Sequence, residues 1–358
     1  MRRFCTVLWF AAACLRAQSG CESLPASKPG DINLLANTGI QLSHEKQYDA
    51  AAACYRKVLA IDPNIPQIQL NLGLAEFKNG RFHEAIGPFE TVLKLDPKNM
   101  QARTLLGMTY YGSRMFKEAA ENLEVALAAD PDNAQLRYYF AQSLLSASEY
   151  ERSLKEFEWL QHHDPDAAGT HVLMAQALDG LSRPEEAIIE LKAALAKSPN
   201  EPGVHFAIGY IFWSQQKNDD AEREFRLELD RDPGNAQASA WLADVLIRRN
   251  DFQSAKPLLE KALAIDPSIR IIHLDLGIVF AEDKQYDRAI AALKEAIRLD
   301  NSKTDAHYRL ARVYKDAGKP AQAAAELAIV SKLREQKRED DLRKLSGPPP
   351  ALQPDNQP

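Results

Sequence analysis

The chain has 358 residues, 44 basic against 50 acidic, and a net charge of −6, which excludes a strongly basic protein built to coat nucleic acid. Apolar residues make up 45%, enough for a packed core, while 16 Gly and 20 Pro are too few for a fibrous or largely unfolded chain. Length alone suggests about two domains, an estimate that lapses once an internal repeat is found.

The first element is a leader. Residues 1–19 set Arg2 and Arg3 before an apolar run from Phe4 to Leu15, then small and polar residues, the order of a secretory signal peptide. The run is too short for a bilayer, which needs about 20 apolar residues. Cleavage after Ala17 or Ser19 fits, leaving residues 20–31 as a linker, and a periplasmic or secreted chain is expected. Cys21, behind Ser19 and Gly20, also resembles the acylated Cys of a bacterial lipobox, although Gln18 stands where that pattern has an aliphatic residue. Membrane contact is expected only if Cys21 is acylated or the leader is retained. Cysteines stand at 5, 14, 21 and 54, with no CxxC or zinc spacing. Cys21 and Cys54 could pair in an oxidising compartment, but the expectation is that Cys54 is a small buried hydrophobe.

Beyond the linker, prolines recur at 63, 97, 131, 165, 199, 233 and 267, each 34 residues after the last and all but Pro199 following Asp. With Pro at position 32, nine units fill residues 32–337: 32–65, 66–99, 100–133, 134–167, 168–201, 202–235, 236–269, 270–303 and 304–337. Position 8 is always Gly or Ala, from Gly39 to Ala311, and position 20 is Ala except at Ser153. Small residues on two helices let their axes approach closely. Position 24 is large throughout, from Tyr55 and Phe89 to Leu293 and Leu327. Apolar spacing follows 3.6 residues, so each half-unit is an amphipathic helix. Turns such as Lys78-Asn79-Gly80-Arg81 separate the halves, Pro184 and Pro320 can open second helices, and Asn99, Asn133 and Asn235 can cap first helices.

This pattern resembles the tetratricopeptide repeat: Leu-Gly at 7 and 8, an aromatic at 11, Ala at 20, Phe or Tyr at 24 and Pro at 32. Residues 66–99, PQIQLNLGLAEFKNGRFHEAIGPFETVLKLDPKN, carry nearly all of it. The family's Trp at position 4 is absent, replaced by residues such as Gln69, Arg137, His171, His205, His273 and His307. The resemblance implies an all-α fold: a right-handed solenoid of nine 34-residue helix-turn-helix repeats. The last helix, 320–345, becomes highly charged and is expected to be the solvating cap, and 346–358 reads as a disordered Pro-rich tail.

No GxGxxG, Walker loop, GxSxG or HExxH motif occurs, so no catalytic residue and no cofactor are expected. The His series at position 4 is too widely spaced for one metal ion and is expected to serve packing, and no metal site is expected. In the family the concave face comes mainly from first-helix positions 2, 5, 6, 9, 12 and 13. Those positions hold Phe77, Tyr111, Tyr138, Tyr139, Phe206, Tyr210, Trp213 and Trp241, a partner-binding groove for a peptide or helix. Asn37 and Asn71, at position 6, are candidates for holding a partner's backbone, as in related arms that bind extended peptides. Nucleic acid is not expected. The reading is a non-enzymatic, exported protein-interaction scaffold. The alternatives are a lipid-anchored outer-membrane assembly factor for secretion, pilus or polysaccharide machinery, and a carbohydrate or small-ligand receptor using Trp213 and Trp241.

Overall fold

The computed structural model of the chain describes Cys21 and residues 31–346. The expected leader 1–19, the expected linker apart from Cys21 and Asp31, and the expected tail after Ser346 lie outside the described residues. Every described element is a helix, and the chain divides into two compact units at Pro199 and Asn200.

The first unit contains five helix pairs: α1 (Asp31–His44) with α2 (Tyr48–Ile61), α3 (Pro66–Lys78) with α4 (Phe82–Leu95), α5 (Met100–Gly112) with α6 (Phe116–Ala129), α7 (Ala134–Ser146) with α8 (Tyr150–His163), and α9 (Ala168–Gly180) with α10 (Pro184–Lys197). The second contains four: α11 (Val204–Ser214) with α12 (Asn218–Arg231), α13 (Ala236–Arg248) with α14 (Phe252–Ile265), α15 (Arg270–Glu282) with α16 (Tyr286–Leu299), and α17 (Thr304–Asp316) with α18 (Pro320–Ser346). Within each unit every helix packs on its pair partner and on the next pair in sequence, so each pair covers the face its neighbour leaves open.

Position 24 holds each pair together. Tyr55, Phe89, Leu123, Phe157, Leu191, Phe225, Leu259 and Leu293 are all among the most buried side chains. A Cβ built on Gly39, Gly73, Gly107, Gly209 or Gly277 would fall 2.5–2.8 Å from the position-24 side chain of the same repeat. Position 8 is small because position 24 lies on it. The ninth repeat departs from the expected knob: Leu327 is 47% exposed, and among the described residues no further helix pair covers it. The polar stretch expected of the last helix therefore begins only after Val330, which is buried.

The turn inside each repeat is stricter than the sequence suggests. Position 15 has positive φ in all nine repeats, at Lys46, Gly80, Arg114, Ser148, Ser182, Gln216, Asn250, Lys284 and Gly318. The first helix closes over it: Gln47 N–H donates to Leu42 C=O at 2.8 Å and Lys46 N–H to Ser43 C=O at 3.1 Å, the Schellman pair that satisfies orphan carbonyls. The Asp at position 31, followed by Pro except at Asp300, likewise does more than precede a stop. Oδ1 of Asp62, Asp96, Asp232, Asp266 and Asp300 accepts the backbone N–H two residues on, at 2.9–3.2 Å, and so shapes the turn. Asn99, Asn133 and Asn235 cap their helices as expected, each accepting at 2.9 Å from the N–H three residues on.

Position 4, where the family has Trp, is a polar rivet in most repeats, though not at Leu35 or Ser239. His171, His205 and His307 meet Glu190, Glu224 and Glu326 through Nδ1 at 2.6–2.7 Å, and Arg137 pairs with Glu156 in the same way. Gln69 and His273 instead reach the carbonyls of Pro63 and Pro267 at 2.9 and 2.8 Å, tying a repeat to the one before it.

One expectation fails. Cys54 is fully buried, but it is not a lone hydrophobe: it forms a disulfide with Cys21, Cα to Cα 5.4 Å. Lys57 Nζ donates to the Cys21 carbonyl, so both sulfur and backbone of this residue are fastened to α2. In the disulfide form the Cys21 sulfur has no free valence for an acyl-bearing thioether, and the two modifications exclude one another.

Candidate binding groove

In the second unit, α11, α13, α15 and α17 are the first helices of successive repeats and contact one another in that order. Their shared face forms a groove of about 830 Å³ lined from α11 by Phe206, Tyr210 and Trp213, and from α13 by Gln237, Trp241, Asp244 and Arg248. Ile271 and Leu274 of α15 continue the apolar wall, and Arg270, Lys303 and Asp305 close it. In repeat numbering these side chains fall mainly at positions 2, 5, 6, 9, 12 and 13.

The aromatic residues form one cluster. Trp213 and Trp241 meet edge to face with centroids 4.2 Å apart, Tyr210 lies 5.6 Å from Trp213 and 5.2 Å from Trp241, and Phe206 stacks 6.3 Å from Tyr210. Such contacts add about 0.5–1.5 kcal/mol each beyond burial. Trp213 Nε1–H donates to Asp244 Oδ2, the same oxygen accepts from Arg248 Nε at 2.7 Å, and the Arg248 guanidinium lies 4.4 Å from the Trp213 ring centre. Glu228 anchors the start of α11, accepting from Phe206 N–H at 3.2 Å. Although largely locked from behind, the cluster keeps Tyr210 38% exposed.

Below the groove lies Asp275, at position 6 of α15. It is fully buried, and neither carboxylate oxygen has a hydrogen-bond partner. Burial, and next the charge of Asp244, hold it well above the usual carboxylate range against the opposing pull of Arg248 and Arg309. Burial thus favours its uncharged form. Arg270 pairs with Asp305 across α15 and α17. Burial alone would raise Asp305, but Arg270 and the Ala306 N–H together hold it low.

The other sequence-predicted residues lie in the first unit. Tyr111 and Tyr139 sit 6.3 Å apart across α5 and α7, Tyr138 is 6.1 Å from Tyr139, and Gln142 joins the Tyr111 and Tyr138 hydroxyls at 3.1 and 2.8 Å. Phe77 packs edge-on against Phe82 of its own repeat at 5.4 Å, a filling role. Asn71 lines a hollow of about 470 Å³ with Ile40, Tyr48 and Leu74, but its side-chain oxygen already accepts from Gln67 at 3.1 Å. Asn37 is exposed and does not line that hollow. Of the charged residues here, Asp244 and Asp305 stand at groove positions 9 and 2, whereas Arg270 and Lys303 stand at positions 1 and 34, outside that set, and reach the groove only through the fold.

Family comparison agrees with the helix pairs. The tetratricopeptide repeat model matches residues 70–134, 104–168, 138–202, 172–236, 206–268 and 242–304, with related repeat models at 280–341 and 44–80. The chain belongs to the tetratricopeptide repeat family. Among solved structures, a tetratricopeptide repeat protein from Parabacteroides merdae is 15% identical, with 69% of this chain and 98% of that one covered and a TM-score of 0.57. The Cut9–Hcn1 hetero-tetramer of the APC/C is 15% identical, with 91% and 78% covered and a TM-score of 0.55. MamA is 23% identical over 48% of this chain and 94% of its own, with a TM-score of 0.43. No curated protein matches the chain. As a tetratricopeptide repeat chain it is a protein-interaction scaffold, of a family that generally binds protein partners.

Proposed function

We propose that this tetratricopeptide repeat protein is an exported, non-enzymatic scaffold that holds a segment of a partner protein in the groove of its second unit. The observation that carries the reading is the joined Phe206, Tyr210, Trp213 and Trp241 cluster, rigidly backed by Asp244 yet open on its outer side. Rigid aromatic surface offers large contact area at little entropic cost. Export is supported by the leader pattern of residues 1–19 and by the Cys21–Cys54 disulfide, a bond that persists in oxidising compartments. The test compares envelope proteins captured by the mature chain and by a Trp213→Ala/Trp241→Ala variant shown to be folded. A protein kept by the first and lost by the second supports the groove; a protein kept equally by both sinks it. Intact mass of the exported chain decides the other part, since a disulfide removes two hydrogens whereas a diacylated Cys21 adds lipid and would make the chain a lipid-anchored factor.

A further inference from the structure

The groove of the second unit changes character along its course. Its first part presents Tyr210 at position 9, Trp213 at position 12 and Trp241 at position 6. On α17 the same three positions hold Arg309, Arg312 and Lys315, all exposed. The groove's other cations are neutralised in place, Arg248 by Asp244 and Arg270 by Asp305. Among the described residues no ion pair engages Arg309, Arg312, Lys315 or the wall residue Lys303. The unpaired acids of this face, Glu282 and Asp316, both stand at position 13. Between the aromatic and basic parts the groove wall is apolar, with half-buried Ile271 and buried Leu274, and burial favours the uncharged form of Asp275 beneath it. Four unpaired cations in a chain of net charge −6 form a local field of the opposite sign to the whole.

Resting on the proposed groove function, we propose that its partner is a peptide segment bearing one bulky apolar side chain and, about five or six residues away, a run of acidic side chains: the apolar anchor sits on Trp213 and Trp241, and the acids on Arg309, Arg312 and Lys315. The spacing follows from geometry. From α13 to α17 is two helix-packing steps of about 8–10 Å each, and an extended chain covers about 3.3–3.6 Å per residue. A single-stranded nucleic acid also seeks aromatic and basic groups, but here the rings form one joined patch with centroids 4.2–6.3 Å apart rather than a series of separate platforms for successive bases.

The test uses the full mature chain and fluorescein-labelled peptides of about twelve residues, carrying one Trp separated by five Gly/Ser residues from three Glu, three Gln or three Lys, in both chain directions. Anisotropy at low salt should rank Glu above Gln by about tenfold in at least one direction, the order of gain that three exposed ion pairs supply. Arg309→Gln/Arg312→Gln/Lys315→Gln should bring the Glu peptide down to the Gln peptide and leave the latter unchanged, while Trp213→Ala/Trp241→Ala should weaken both. Equal binding of Glu and Gln peptides by the unmodified chain overturns the acidic preference and leaves the groove reading standing. Tighter binding of an oligodeoxythymidine than of any peptide overturns it too, as does a concentration-dependent dimer that the triple variant abolishes. If no peptide binds, the groove reading falls with it.

Discussion

Trp213 and Trp241, on adjacent first helices, meet with ring centroids 4.2 Å apart while Asp244 accepts the Trp213 indole N–H from below. One carboxylate thus sets the orientation of the most aromatic surface in the second unit and also holds Arg248 over the Trp213 ring. Asp244→Ala releases both, and leaving a partly buried indole N–H and guanidinium unpaired should cost about 1–3 kcal/mol. Near-ultraviolet circular dichroism should lose tryptophan intensity while the far-ultraviolet helix signal stays. An unchanged near-ultraviolet spectrum would mean that ring packing alone fixes the pair.

Gly277 faces Leu293 so closely that an added Cβ would lie 2.5 Å from Leu293 Cγ. That atom is the branch point of a fully buried side chain, which cannot swing aside. Gly277→Ala should therefore destabilise the chain by about 1–3 kcal/mol, although Ala is the better helix former by about 1 kcal/mol. The paired variant Gly277→Ala/Leu293→Ala should recover none of the lost packing, whereas Gly87→Ala, whose Cβ would meet nothing within 4 Å, should be stabilising. Chemical denaturation of the three variants checks the order.

The helix pairs were legible in the sequence because 34-residue spacing of Pro, Gly or Ala and a large position 24 is a steric code repeated in every unit. Position 15 was not legible, since Lys46, Gly80, Ser148 and Gln216 share no side-chain chemistry; what they share is a positive φ imposed by closing hydrogen bonds. The aromatic half of the groove was visible as residue type at numbered positions. Of its charged half, the cations Arg248, Arg309, Arg312 and Lys315 were visible at groove positions, but Asp244 reads as an ordinary helix-surface acid until the fold brings Trp213 and Arg248 against it. The Cys21–Cys54 pairing was open in the sequence but not fixed by it, because spacing alone does not bring two sulfurs together; the fold does.

Those left-handed residues give an engineering prediction. Ser148 and Lys284 adopt φ of 64° and 59°, where a Cβ is unfavourable and Gly is not. Ser148→Gly and Lys284→Gly should each stabilise by about 0.5–1 kcal/mol and add when combined, being far apart in sequence and in separate units. Gly318→Ala, at the same position, should destabilise by about 1 kcal/mol. Thermal unfolding of the single and double variants reads the sign directly.

The Cys21–Cys54 bond closes a loop over a separation of 33 residues, for which the chain-entropy account gives about 2–4 kcal/mol. Reduction, or Cys54→Ser, should lower the stability of the first unit by that order. Proteolysis near α1 and α2 should quicken, while tryptophan emission from Trp213 and Trp241 holds. Equal melting temperatures with and without reductant, with two free thiols appearing on reduction, would show that the packing of Tyr55 and Leu35 carries the first repeat alone.

Asp275 makes stability depend on pH in a predictable sense. Its native carboxyl is raised by burial and by Asp244, so above the unfolded carboxyl value of about 4 the unfolded chain releases a proton that the native chain keeps. The unfolded state then binds fewer protons, and stability falls as pH rises from about 4 toward the native value, by at most about 1.4 kcal/mol per pH unit. Asp275→Asn keeps the shape without the titration. It should match the wild-type chain near pH 3 and exceed it increasingly as pH rises above about 4. Parallel denaturation curves of the two proteins across that range decide the point: a constant difference at every pH would mean that Asp275 is ionised in the folded protein, with Arg248 or Arg309 turned in to meet it.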